Sequence, residues 1–198
     1  IRDLYVTGVQ TCALPISASS GIRRADGYHL MQSVFMLIDW SDTLHFELRR
    51  DGTLTREDLN VSLPQDDLIL RAARALQAAA QCPLGAHIGI RKAVPAQAGL
   101  GGGSSDAATT LLALNRLWNL NLPRPALEAI GVTLGADVPF FLRGRNAWVE
   151  GIGDIIAPLE LEQALPRSRF AVVKPEAGLD TKSIFSSQSL KRDSERSE

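Results

Sequence analysis

The stretch Pro95-Ala96-Gln97-Ala98-Gly99-Leu100-Gly101-Gly102-Gly103-Ser104-Ser105-Asp106 places four glycines and two serines between a predicted strand and a predicted helix. Glycine can adopt positive φ and lets the backbone approach a ligand without a Cβ in the way. A helix that follows such a loop points unpaired N–H groups and its positive dipole end at the loop's ligand. The stretch therefore predicts a phosphate-binding loop, and we expect a nucleoside triphosphate as its ligand.

The flanks of this glycine loop favour a binding loop over a flexible Gly/Ser linker. Residues 87–92 alternate like a strand, and Ser104 or Ser105 could cap the following helix through its hydroxyl. The loop has no closing Lys-Ser or Lys-Thr, so it is not the usual P-loop, and it lacks the dinucleotide-binding spacing. The apolar residues at helical spacing after the loop are Ala107, Ala108, Leu111, Leu114 and Trp118.

Composition restricts the class of protein. The chain has 198 residues, 45% of them hydrophobic, with a net charge of -1, which suits one domain, or one domain and part of a second. The charge gives no reason to expect nucleic acid or a membrane surface as a partner. Cys12 and Cys82 make no disulfide framework, and no apolar run nears the roughly 20 residues that span a bilayer, so we expect a cytoplasmic protein.

The remaining elements predict an α+β fold, with helices packed on one side of a mixed sheet. Strands are expected at 43–48 and 169–173, and residues 146–150 and 154–159 are expected to pair as a hairpin. Asp66 or Asp67 could cap the helix that begins directly after these two residues. Pro125 suits a short helix that ends near Gly131.

Two further motifs carry candidate functional side chains. Ala25-Asp-Gly-Tyr-His29 is a turn with an aromatic ring and an imidazole, or else an ordinary turn before a strand. Gly135-Ala-Asp-Val-Pro139 holds Asp137 on a constrained loop beside an apolar run. Taken alone, Asp137 is more simply a turn or helix-cap aspartate.

Together with the glycine loop, these motifs resemble the GHMP kinase superfamily. Within it, residues 21–185 resemble the 4-diphosphocytidyl-2-C-methyl-D-erythritol kinases, because of Arg24-Ala-Asp-Gly-Tyr-His29 and the Gly-Gly-Gly-Ser-Ser-Asp-Ala-Ala form of the loop. The resemblance implies a ribosomal protein S5 domain 2-like N-terminal domain. It also implies transfer of the γ-phosphoryl group of ATP, with Mg²⁺, to the 2-hydroxyl of that substrate in non-mevalonate isoprenoid biosynthesis.

The resemblance also implies roles for single residues. Backbone N–H groups of the glycine loop would hold the phosphates, and Asp137 would be the general base. Asp67 is the predicted nucleotide-binding position before the first helix, where relatives often carry Asp-Asn-Leu in place of Asp66-Asp67-Leu68, and its carboxylate lacks the donors of their amide. For Asp106, a partner of the helix dipole and a metal-linked role stay open.

The same resemblance implies the substrate-binding residues. Tyr28 would stack on the cytosine, and His29 would hydrogen-bond the edge of that base. Phe185 matches a second aromatic over the same base, and Phe35 matches another aromatic near the pocket, although Phe35 could equally be a core side chain. An aromatic sandwich suits a nucleobase better than homoserine or a sugar, which disfavours another GHMP kinase.

The chain departs from the family at its start. The family's early strand carries a lysine near the transferred phosphoryl group, whereas the first lysine here is Lys92. Residues 6–16 look like an in-frame translation of a sequencing-library adapter, and Arg196-Ser-Glu198 is compatible with another. We therefore expect residues 1–17 to be non-native, the alternative being a genuine divergent N-terminus.

The expected domain organisation follows. Residues 18–162 would be the ATP-binding N-terminal domain, and residues 163–198 the start of a ferredoxin-like C-terminal domain with a polar tail. Because the lysine and most of that second domain are missing, we expect the chain as written to fold poorly and show little or no kinase activity. A non-catalytic nucleotide-binding protein is the alternative for this polypeptide.

Overall fold

Two four-stranded sheets and four helices make up the described part of the chain. The computed structural model describes residues 3–7, 13–23, 29–96, 98–151, 153–159 and 170–173. In chain order the elements are β1 (Asp3–Thr7), β2 (Ala13–Arg23), β3 (His29–Leu37), β4 (Thr43–Arg49), β5 (Leu54–Asp58), α1 (Leu68–Ala79), β6 (Gly85–Arg91), α2 (Gly102–Leu117), α3 (Arg124–Leu134), α4 (Val138–Arg143), β7 (Ala147–Gly151) and β8 (Ile155–Pro158).

The first sheet carries the glycine loop at the end of one of its strands. Its order is β1-β4-β6-β5, with β5 parallel to β6 and the other pairs antiparallel. The second sheet is antiparallel throughout, in the order β2-β3-β7-β8. The mixed helix and strand content confirms the predicted α+β class. The prediction of one sheet was wrong, because the β7–β8 hairpin extends β3 rather than joining the strands around β6.

Alternation in the central strands of the first sheet supplies the floor of the core. Leu44 and Phe46 of β4 and Ile88 and Ile90 of β6 are buried, while the residues between them point to the other face. α1 and α2 contact strands of this sheet, and small residues of α2 such as Ala107 let the two helices approach closely. α1 and α2 therefore pack against this sheet and against each other.

Helices α3 and α4 close the core above α2. A Cβ added to Gly131 in α3 would lie 2.9 Å from Val138 Cγ1 and 3.1 Å from Leu142 Cδ1, so only glycine permits this approach of the two helices. α3 continues to Leu134, beyond the predicted end near Gly131. Residues 134–139, expected as a loop, already turn into α4 at Val138.

Two further predictions need correction. α2 begins at Gly102 with Gly101 as its N-cap residue, so Ser104 and Ser105 lie inside the first turn and neither caps the helix. Residues 170–173 form no strand, whereas a strand was expected over 169–173. Two β-branched residues and a phenylalanine favour extended backbone, but a strand also needs a neighbour with which to pair.

Candidate functional site

A cavity of about 490 Å³ lies where the starts of α1 and α2 meet the end of β6. One wall is apolar, the glycine loop forms another, and charged side chains lie at its base. The lining residues are Leu63, Asp67, Leu68, Ile69, Lys92, Pro95, Ala96, Ala98, Gly99, Leu100, Gly101, Gly102, Gly103, Ser104 and Asp106. Most of the predicted cofactor-binding residues therefore surround one cavity. Gln97 lies outside the described residues.

The glycine loop needs glycine at two positions for different reasons. Gly99 and Gly101 have φ of +70° and +66°, in the left-handed region that side chains rarely adopt. A Cβ on Gly101 would lie 2.8 Å from the Cζ atom of Phe141, whereas a Cβ on Gly99 would meet nothing within 4 Å. Phe141 of α4 thus packs directly against the loop and fixes its path.

The start of α2 presents backbone donors to this cavity. The first N–H groups of a helix have no partner within it, and here they belong to Gly102, Gly103 and Ser104, which line the cavity. Ser105 differs, because its N–H donates to the carbonyl of Gly101 at 2.9 Å and its side chain is buried. The Ser105 N–H is therefore paired within the helix in this structure, and its contact with a phosphate stays a prediction.

Asp67 joins the start of α1 to the same cavity. Its Oδ1 accepts from the backbone N of Leu70 at 3.1 Å, which makes it the N-cap residue of α1. The same oxygen lies 2.6 Å from Nη1 of Arg56, whose side chain is almost fully buried. Arg56 thus neutralises the carboxylate of Asp67, at the position where relatives often have an amide.

Arg56 also shapes the segment that leads into α1. Its guanidinium donates to both carboxylate oxygens of Asp58, at 2.7 and 3.1 Å, and to the carbonyl oxygens of Leu63 and Pro64. Asp58 Oδ2 in turn accepts from the backbone N of Leu63 at 2.9 Å. One cation therefore fixes the loop that supplies Leu63 to the apolar wall.

A second buried ion cluster lies at the base of the cavity. The Lys92 ammonium donates to Oδ2 of Asp106 at 2.8 Å and to Oδ2 of Asp42, and all three side chains are at most 8% exposed. Burial works to lower the pKa of Lys92, but the two carboxylates outweigh it and raise that pKa, so the lysine stays charged. Asp106 is thus an ion-pair partner of Lys92, an arrangement that neither open alternative for it anticipated.

The pKa of Asp106 is raised despite its ion pair with Lys92. Burial raises the pKa of Asp106 from 3.8 to about 7, and Lys92 opposes this rise only in part. The folded chain therefore holds a proton that the unfolded chain has lost, and the free energy of unfolding falls as pH rises from about 4 to about 7.

Asp106→Asn should remove this pH dependence. The amide oxygen can still accept from Lys92, while the titrating group is gone. Urea denaturation of both proteins between pH 4.5 and 7.5 should show the wild-type free energy of unfolding declining relative to that of the variant. Parallel profiles across this range would contradict the assigned protonation.

Asp137 is placed directly before α4, close to the glycine loop. It is the N-cap residue of that helix but makes no side-chain capping bond, and burial raises its pKa. Two residues earlier, a Cβ on Gly135 would lie 3.8 Å from the hydroxyl of Ser104. The predicted catalytic carboxylate therefore follows a segment that contacts the start of α2, although Asp137 does not line the cavity itself.

The predicted substrate-binding residues are described only in part. Tyr28 and Phe185 lie outside the described residues, and His29 begins β3. Phe35 is 8% exposed and packs edge-on against Phe140, with ring centroids 5.3 Å apart. This packing agrees with the core alternative for Phe35 and gives no support to its place in a substrate pocket.

Three residues of the site were missed by sequence reasoning: Asp42, Arg56 and Lys92. Lys92 is separated from Asp42 by 50 positions, whereas the partners of Arg56 follow it closely in the chain. The available signal was the place of Lys92, the first lysine of the chain, directly before the loop. Pattern alone could not have paired it with two carboxylates.

Comparisons with known proteins agree with this geometry. Residues 67–145 match the family model described as GHMP kinases N terminal domain. The chain is similar to 4-diphosphocytidyl-2-C-methyl-D-erythritol kinase of Paracidovorax citrulli (strain AAC00-1), with 74% identity over 88% of this chain and 61% of that protein. The kinase of the same name from Acidovorax ebreus (strain TPSY) is 73% identical over 87% of this chain and 61% of its own length.

The solved structures extend the likeness to the fold. A crystal structure of 4-(cytidine 5'-diphospho)-2C-methyl-D-erythritol kinase matches with a TM-score of 0.63 and 36% identity, covering 79% of this chain and 55% of that chain. Homoserine kinase from Cytophaga hutchinsonii matches with a TM-score of 0.55 at 14% identity, covering 80% of this chain and 51% of its own, which shows a shared fold alone.

The chain matches only part of the length of these relatives. The chain spans about three fifths of the length of the two curated relatives named above. Among the helices of the described residues, none is long and apolar enough to cross a membrane. With its glycine loop at the start of α2, a family model that matches residues 67–145 and relatives above 70% identity, the described part of the chain has the fold of a GHMP kinase N-terminal domain.

Proposed function

We propose that this chain is the nucleotide-binding part of an ATP-dependent kinase that phosphorylates the 2-hydroxyl of 4-diphosphocytidyl-2-C-methyl-D-erythritol. The observation that carries the proposal is the cavity onto which the starts of α1 and α2 converge. Two helix N-termini and a glycine loop suit a triphosphate, and the apolar wall at Leu63 and Leu68 suits a base. The names of the curated relatives supply the acceptor.

In phosphoryl transfer the protein positions the reactants and neutralises charge, and it forms no covalent bond to them. Phosphoryl transfer needs the acceptor oxygen in line with the γ-phosphorus and neutralisation of the phosphate charge. The N–H groups of Gly102, Gly103 and Ser104 supply part of that neutralisation. Mg²⁺ would arrive with ATP and supply further neutralisation of the phosphate charge.

Asp137 is proposed as the general base on the acceptor hydroxyl. A carboxylate whose pKa is raised by burial is a stronger base than a solvated one and is better matched to neutral pH. Tyr28, His29 and Phe185 remain the proposed contacts of the cytosine. Residues 18–162 remain the proposed nucleotide-binding domain.

The first test is ATP binding by the purified chain, followed by transfer of labelled γ-phosphate to the substrate. We expect ATP to bind, and we expect Asp137→Asn to bind ATP as tightly as wild type. The rate of transfer should fall by a factor of about 10² to 10⁴ in the variant. Failure to bind ATP would contradict the nucleotide site, and an unchanged rate would remove Asp137 as the base.

A further inference from the structure

We propose that Lys92 is the positioning residue of the glycine loop, with Asp42 and Asp106 as its two anchors, and that nucleotide binding there is coupled to proton uptake by this cluster. The inference rests on the proposed function in one respect, namely that the loop binds a nucleotide. The ion cluster itself is independent of that assignment.

Asp42 holds the chain where it leaves β6. Its Oδ1 accepts from the backbone N of Ala93 at 2.6 Å and of Val94 at 2.9 Å, while its Oδ2 accepts from the Lys92 ammonium. Asp42 itself lies directly before β4, the antiparallel neighbour of β6. One buried carboxylate thus fixes three consecutive residues at the entrance to the loop.

Lys92 connects the entrance of the loop to its far end through its ion pair with Asp106. Its ammonium donates to Asp106 in α2, and it lies 3.6 Å from the position that a Cβ on Gly102 would occupy. The two ends of the segment 93–101 are therefore joined by a chain of charged hydrogen bonds that runs beneath it. The spacing of those ends sets where the N–H groups of Gly102 and Gly103 point.

The charges of the cluster do not balance. Two carboxylates share one ammonium, so the fully ionised cluster carries one uncompensated negative charge beside a cavity proposed to take a polyanion. Among the described residues, the charged groups that act on Asp106 are Lys92, from the end of β6, and Asp42, from the segment before β4. The Thr110 hydroxyl donates to the Asp106 carbonyl and not to its carboxylate.

Bound phosphates make the ionised form of Asp106 less favourable. A proton should therefore be taken up on binding above the pH at which the free protein loses it, which is about 7. Nucleotide affinity should then decline as pH rises from 7 to 9, by at most about tenfold per pH unit for one linked proton. A purely structural ion pair would produce no such slope.

The positioning role is tested without any nucleotide. Hydrogen exchange of the amides of residues 93–103 should speed up by about tenfold or more in Lys92→Met and in the milder Asp42→Asn, while α3 amides change little. Arg74→Met, which removes the exposed ion pair between Arg74 of α1 and Asp66 before that helix, is the matched control and should leave the loop unchanged. Equal protection of the loop in wild type and Asp42→Asn would overturn the role, even if Lys92→Met fails to fold.

The proton coupling is tested with ADP in a buffer that contains EDTA. The dissociation constant is measured from pH 7 to 9 for wild type and Asp106→Asn. The nucleotide's own titration is common to both proteins, so a steeper slope in wild type reports Asp106. Parallel slopes would overturn the coupling.

The two tests also separate this inference from the proposed function. A wild-type chain that binds no ADP, yet whose loop exchange depends on Asp42 and Lys92, would refute the nucleotide site and retain the positioning cluster. A chain that binds ADP equally well in wild type and Asp42→Asn, with unchanged loop exchange, would retain the nucleotide site and refute the cluster's role.

Discussion

Gly101→Ala is expected to abolish measurable nucleotide binding and to lower the free energy of unfolding by about 2–5 kcal/mol. Two penalties combine at this residue. An alanine at φ +66° is strained, and its Cβ would lie 2.8 Å from the Phe141 ring, which is itself buried against Phe140 and cannot retreat. The loop must therefore shift at the N-cap residue of α2.

Gly99→Ala is the matched control for this prediction. Gly99 has a similar φ of +70°, but a Cβ there meets nothing within 4 Å, so only the backbone strain of about 1–2 kcal/mol applies. Urea denaturation and isothermal titration with ATP should separate the two variants. Equal losses in both would show that the contact with Phe141 has no effect on the loop.

Arg56→Met is expected to lower the free energy of unfolding by about 3–5 kcal/mol, the usual range for removing one partner of a buried ion pair. The guanidinium is 6% exposed and serves Asp58, Asp67 and two backbone carbonyl groups. Methionine fills similar space but donates no hydrogen bond, so Asp58 and Asp67 would lose their cationic partner while each keeps one backbone N–H donor. Asp67 would also place an uncompensated charge at the nucleotide cavity.

Arg74→Met provides the comparison for an exposed ion pair. Arg74 and Asp66 are 54% and 74% exposed, and such pairs contribute at most about 1 kcal/mol. Urea midpoints of the two variants, measured side by side, should differ strongly. A loss below about 1 kcal/mol for Arg56→Met would mean that its carboxylate partners are solvated in solution rather than buried.

The elements that the sequence predicted well are those with a strong local signal. Period-two alternation located β4 and β6, and the apolar face after Asp67 located α1 together with its cap. The glycine loop was placed between strand and helix because glycine and serine have few other uses between two periodic segments. In each of these cases the information lies within about a dozen residues.

Predictions failed where the outcome depended on distant partners. The serines after Gly103 looked like helix caps, but α2 starts earlier, at Gly102, beside Val94 on the other side of the glycine loop. The separation into two sheets depended on pairing between β3 and β7, whose residues lie more than 100 positions apart. The Asp42–Lys92–Asp106 cluster was invisible for the same reason, since no local pattern marks a buried ion pair.

The convergence of α1 and α2 on one cavity makes folding of this chain subject to mass action. An anion that bridges both helix starts binds the folded chain and has no equivalent site in the unfolded one. At a hundred times its dissociation constant, such a ligand adds about 2.7 kcal/mol to the free energy of unfolding. The melting temperature should therefore rise with ligand concentration, so that a thermal shift can be used to find ligands. The folded fraction of the chain likewise depends on the concentration of ligand.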